Sequence, residues 1–110
     1  MLMAVAGVVA ERSTCNRLHV GAVISRDGRV LSTGYNGPPS GLPHCDHESD
    51  VGCEDAVHAE ANVIAFAARY GVSVEGAEVY VTHSPCPGCA KLLINAGLSS
   101  VYYKTPFRDV

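Results

Sequence analysis

An α/β fold with a mixed central sheet is predicted by three features of the chain. Two β-rich runs, Val20–Ser25 and Val30–Tyr35, flank the turn Arg26-Asp27-Gly28-Arg29. An Asp-Gly pair between such runs is the strongest short-range hairpin signal. Further along, Val79–Thr82, a helical stretch over 86–96 and Val101–Tyr103 follow one another; strand, helix and strand in one sheet require a right-handed crossover and a parallel pair. Helical patterns also precede the hairpin and separate it from the crossover unit. No repeat, linker or low-complexity tract interrupts the order, so residues 1–110 are expected to form a single domain.

Each element has its own justification. Residues 2–12 read as a helix ending near Ser13-Thr14. Met1–Ala10 is apolar enough to suggest a signal peptide. It lacks a basic leading region and is too short to span a bilayer, so a first helix packed on the core is the expectation. Residues 36–54 hold Gly, Pro, His, Cys and acids without apolar periodicity; they read as a long loop, and such loops are usually functional or tied down. Over 57–70, Ala59, Val63, Phe66 and Ala67 recur at helical spacing and Gly71 supplies a stop. Ser84 or Pro85 opens the helix over 86–96, and Gly97 closes it.

Composition excludes several classes of function. Apolar residues make up 47% and charged residues 17%, the profile of a folded chain rather than a disordered one. The net charge of −3, with eight scattered basic residues, offers no broad nucleic-acid face, which would need clustered Lys and Arg. The acidic run Asp46, Glu48, Asp50, Glu54 and Asp55 reads as a solvated loop. Five cysteines without an export signal point to reduced thiols and metal sites, and to a cytoplasmic protein with no membrane partner.

The chemistry concentrates in His58-Ala59-Glu60 and Pro85-Cys86-Pro87-Gly88-Cys89. One imidazole and two thiolates form a three-ligand zinc set whose fourth position is left for water. Zinc lowers the pKa of that water to about 7, supplying a nucleophile at neutral pH. Cys86 and Cys89 fall in the first turn of a helix, where free N–H groups and the macrodipole favour thiolates. Pro85 and Pro87 suit a helix start, whose donors have no intrahelical partner. Glu60 is the candidate acid and base: it would take a proton from the zinc-bound water, pass it to a ring nitrogen and later protonate departing ammonia. Residues two apart inside a helix do not face each other, so this works only if the helix begins at the site. A lone C-x-x-C is often a structural zinc knuckle or redox pair; the ordered pair of motifs, each opening a helix, favours catalysis.

The H-x-E and P-C-x-x-C pair matches the signature of zinc nucleobase deaminases. The chain resembles, more narrowly, the deoxycytidylate (dCMP) deaminase family. The residues carrying this are Cys15-Asn16-Arg17, Val20–Ile24, Ser32-Thr33-Gly34-Tyr35-Asn36-Gly37, His58–Asn62 and Tyr80–Lys91. The resemblance implies a three-layer α/β/α cytidine deaminase-like fold and zinc-dependent deamination of dCMP to dUMP, serving thymidylate supply. It implies that Asn36 holds the nucleotide sugar and that Tyr35, Ala59 and Ser84 line the substrate pocket. From the residues alone, a Gly-flanked Asn at a strand end is more often a turn residue. Arg17 is the candidate phosphate partner, with a solvated surface Arg as the equal alternative. Homo-oligomers, hexamers or dimers, and regulation by dCTP and dTTP follow from the resemblance only. Such chains commonly carry a further helix and strand after the fourth strand; the sequence given ends at Val110, and the expectation is a fold lacking that pair.

A hairpin brings the flanks of its strands together, making Cys15 and Cys45 neighbours, with Cys53, His44 and His47 in the same loop. Some members of the family that the chain resembles carry a second, structural zinc with ligands at positions matching Cys15 and Cys45. A closed site of Cys15, Cys45, Cys53 and either His47 or His44 is therefore expected to pin the loop; free thiols are the alternative. Of the other histidines, His19 and His83 read as structural or exposed, with His83 a candidate for the pocket border. Competing functions are deamination of dCTP, of a nucleoside or of a modified cytosine nucleotide, and a zinc-stabilised binding or regulatory module without turnover. A tRNA-editing adenosine deaminase is disfavoured by the acidic balance.

Overall fold

The Asp27-Gly28 turn forms as the sequence requires: both residues have positive φ, 53° and 78°, the backbone that joins two twisted antiparallel strands tightly. The computed structural model describes residues 1–13, 19–37 and 57–105. Helix α1 (Leu2–Ala10) is followed by β1 (Gly21–Arg26), β2 (Arg29–Tyr35), α2 (Ala59–Arg69), β3 (Glu78–His83), α3 (Pro87–Ala96) and β4 (Ser100–Thr105). The strands lie in the order β2-β1-β3-β4. β1 pairs antiparallel with both β2 and β3, whereas β3 and β4 are parallel across the α3 crossover. The mixed sheet expected from the sequence is present, with the ends of its strands displaced by one or two residues.

Helices cover both faces of this sheet, and two glycines show which helix lies where. Gly21 and Gly34 occupy adjacent rungs of the β1–β2 ladder, pairing with Tyr35 and Ala22 respectively, so they point to opposite faces. A Cβ on Gly21 would overlap the backbone of Ala6 and Ala10 in α1. A Cβ on Gly34 would lie 2.5 Å from Val63 N and 2.8 Å from Ala59 O in α2. The sheet is thus sandwiched, with α1 on one side and α2 and its neighbour α3 on the other. The main core fills the α2 side: Ala22, Ile24, Val79 and Val81 from the strands meet Ala59, Val63, Ala67 and Leu93 from the helices.

The small stripe Ala59–Val63–Ala67 lets α2 sit directly on β2. The Ser32 hydroxyl donates to Val63 O at 2.8 Å, tying strand to helix. Phe66, which recurs at helical spacing with Ala59, Val63 and Ala67, is half-buried and lines a groove with Leu31 and Tyr70. Because the obstruction at Gly34 is backbone, Gly34→Ala is expected to destabilise by the upper part of the ~1–3 kcal/mol typical of overpacking. The urea midpoint measures this, and an unchanged midpoint would show that α2 gives way freely.

Candidate metal and catalytic site

Two helix N-termini meet at one end of the sheet, and the motif residues sit on them. His58 is the N-cap of α2, with extended backbone at φ −66° and ψ 151°. Glu60 lies inside the first turn. The helix therefore begins at the site, two residues later than its predicted start at 57, and the requirement that imidazole and carboxylate share one locus is met. Cys86 is the N-cap of α3, with Pro87 opening the helix; here too the regular turn starts one residue later than expected. Cys86 Sγ accepts from Cys89 N–H at 3.4 Å, the bond an N-cap oxygen would ordinarily take. At the far end Gly97, at φ 92°, terminates α3, and Leu98 N–H donates to Leu93 O at 3.2 Å. The Ser84 N–H donates to Thr105 O at 2.9 Å, fixing the turn between β3 and Cys86 against β4.

Three metal-ligating atoms converge. The His58 Nδ1 lies 3.3 Å from Cys89 Sγ and 3.4 Å from Cys86 Sγ, and all three ligand atoms fall within 4.8 Å of one another. A tetrahedral zinc with ordinary Zn–N and Zn–S lengths spaces nitrogen and sulfur about 3.6 Å apart. The donor set therefore fits zinc in kind and in spacing. Burial is graded across it: Cys89 is buried, Cys86 half-buried and His58 exposed, so the described residues leave the imidazole side open. Burial, the Glu60 carboxylate and the Cys86 thiol all push the Cys89 thiol up. A cation is what such a thiol needs to be held as thiolate.

Glu60 is 4% exposed. Burial raises its carboxyl above the usual range, outweighing its own backbone N–H, the His58 charge and a hydrogen bond with Cys89, which pull the other way. A carboxyl raised by burial and touching a metal-ligand candidate is poised for proton transfer. Burial also lowers His83, whose Nδ1 lies 3.0 Å from Thr82 Oγ1.

The other site candidates divide sharply. Asn36 is 9% exposed; its Oδ1 accepts from Val20 N–H and its carbonyl from the Ser13 hydroxyl, each at 2.8 Å. Ala59 is fully buried in the core, main chain included, so it packs beneath the site and presents no exposed surface to a substrate. The Tyr35 carbonyl accepts from Asn62 Nδ2 at 2.8 Å. Cys15, Arg17, Cys45, Cys53, His44 and His47 lie outside the described residues, and with them the expected second zinc and the phosphate partner. Asn62 received no role from the sequence beyond its place in the His58–Asn62 run; its one local signal was a polar residue four positions after the helix cap in an Ala-rich helix.

Comparison with known proteins accords with this geometry. Residues 1–105 match the family model for the cytidine and deoxycytidylate deaminase zinc-binding region. The chain is 46% identical over 110 residues to ComE operon protein 2 of Bacillus subtilis, covering 96% of this chain and 58% of that protein. It is 37% identical over 116 residues to the deoxycytidylate deaminase of Mycobacterium phage D29, covering 92% of this chain and 89% of that one. The crystal structure of dCMP deaminase from cyanophage S-TIM5 in complex with dCMP and dUMP superposes with a TM-score of 0.91 at 37% identity, over 96% of this chain and 79% of that chain.

Proposed function

Because the chain belongs to the cytidine and deoxycytidylate deaminase family, we propose that it hydrolyses the 4-amino group of dCMP, giving dUMP and ammonia. The observation that carries this reading is the convergence of His58 Nδ1, Cys86 Sγ and Cys89 Sγ beside the buried Glu60 carboxyl. The relatives named for dCMP support the substrate. The reading places residues 1–110 in one catalytic domain, supported by a family match over residues 1–105.

His58, Cys86 and Cys89 would hold a zinc ion, which when bound would acidify a water and so provide the nucleophile. In the proposed reaction a C4–O bond forms and the C4–N bond breaks. Glu60 takes the proton of the attacking water, delivers it to N3, and then carries the second proton to the departing amino group, so the carboxylate ends as it began. Its burial suits this work, because a carboxyl pushed up toward neutrality both accepts and donates. The two helix N-termini add positive potential where the thiolates and carboxylate sit. Ser84 stands at the pocket edge with Ala59 packed beneath it, Tyr35 and Asn36 are on the nucleoside side and Arg17 is toward the phosphate.

Homo-oligomeric assembly belongs to the same reading, supported by the exposed apolar residues Ile94, Val101 and Tyr103. Regulation by dCTP and dTTP and a cytoplasmic location are further parts of it. No described helix is long and apolar enough to cross a membrane.

Incubation with dCMP, dCTP and deoxycytidine, followed by loss of cytosine absorbance, tests the substrate. Loss with dCMP ahead of the others is expected. Preference for either alternative would move the substrate, and no loss with any of the three would favour a binding module.

A further inference from the structure

Helix α2 spends its fourth position on asparagine, a weaker helix former than the alanines around it. The structure shows where that side chain is used. Asn62 Nδ2 donates to Tyr35 O at 2.8 Å and to Val57 O at 3.4 Å. Both partners are carbonyl oxygens, so only the amino end of the amide can face them, and its two N–H groups match two acceptors. The main-chain N–H of Asn62 adds a third bond, to His58 O at 2.9 Å.

These carbonyls are those of the residues immediately before Asn36 and His58. Tyr35 ends β2. Val57 pairs with Gly37 in a two-bond bridge, Gly37 N–H to Val57 O at 3.0 Å and Val57 N–H to Gly37 O at 2.7 Å. The chain thus enters α2 alongside the end of β2, and one amide spans both segments. We infer that Asn62 is a positioning residue, locking the turn that carries Asn36 to the turn that presents His58. It thereby sets the spacing between the nucleoside side of the pocket and the metal ligand. The inference rests on the proposed deaminase reading for what the two turns do, though the juxtaposition itself is independent of it.

The Asn62 amide touches neither the metal donors nor the reacting atoms; it acts through backbone. Outer partners of this kind hold ligands in productive geometry, and their loss typically costs about 10- to 100-fold in metal affinity or activity. A nucleoside turn that drifts by an ångström relative to the metal can cost about 100-fold in rate.

The test uses the whole zinc-loaded chain and its cobalt(II)-substituted form. Asn62→Leu keeps the branching at Cγ with somewhat more bulk and removes both donors, whereas Asn62→Gln keeps the amide on a longer stem. For Asn62→Leu, release of zinc to a colorimetric chelator should be about 10- to 100-fold faster. The cobalt visible bands should shift, and the KM for dCMP should rise more than kcat falls. Asn62→Gln should recover a substantial part of all three. Should Asn62→Leu fail to fold, Asn62→Asp, of the same shape but presenting acceptors to two carbonyls, carries the same readouts. Zinc release and cobalt bands indistinguishable from wild type would overturn the inference, whatever happened to thermal stability. The two metal readouts need no substrate, so they decide on Asn62 even if the wild-type protein leaves dCMP intact, a result that would instead remove the proposed substrate.

Discussion

Glu60→Gln is expected to reduce dCMP turnover by about 10²–10⁴-fold, the range a positioned acid–base group contributes, while zinc stays bound. Glutamine keeps the size and shape of a side chain that is 4% exposed, so no cavity opens. It cannot take up or release the proton on which the proposed chemistry depends. Burial already disfavours the charged carboxylate at this position, so the neutral amide should leave folding stability unchanged or slightly higher. His58, Cys86 and Cys89 remain as ligands. Absorbance assays paired with zinc analysis check both halves. An active variant would remove Glu60 from proton transfer; an inactive variant without zinc would make it part of the metal's support instead.

Cys86→Ser separates two roles that one sulfur combines. As N-cap, Cys86 accepts the Cys89 N–H, and serine is among the best residues for that task. As metal donor, its sulfur lies 3.4 Å from His58 Nδ1, and a serine hydroxyl is a far poorer zinc ligand than a thiolate. The variant should therefore keep α3 and its metal-free stability, yet lose zinc affinity by more than the ~100-fold that follows loss of an outer-shell partner. Turnover should fall in step. Thermal melts of metal-free protein and chelator competition measure the two effects independently. Retained affinity would show that Cys86 serves the helix and not the metal.

The local grammar of the chain was legible residue by residue. Asp27-Gly28 announced the hairpin, Gly97 the end of α3, and the run from β3 through α3 to β4 the parallel pair. Boundaries slipped where a functional residue occupies a cap. His58 and Cys86 stand outside their helices with extended backbone, whereas periodicity alone includes them. Helical spacing alone did not rank Ala59, Val63, Phe66 and Ala67 by depth: α2 turns the smaller side chains inward onto Gly34, and Phe66 stays half-buried. The antiparallel β1–β3 pairing was not readable, since pairing between strands fifty residues apart leaves no local pattern. The role of Asn62 was equally hidden: its partners are carbonyls, which every residue has.

The metal triad was legible for a different reason. Its spacing is dictated by helix starts, and those are written in Pro87 and in the caps. The long segment around Cys45 and Cys53 offered chemistry without periodicity, so its expected second zinc rests on ligand types, on the hairpin that joins its flanks and on the family resemblance.

The most direct measurement is the rate of cytosine absorbance loss with dCMP, taken on protein stripped of metal and again after zinc is returned. Activation of water by zinc predicts silence before and turnover after, with Glu60→Gln silent in both. Equal rates with and without zinc would contradict it.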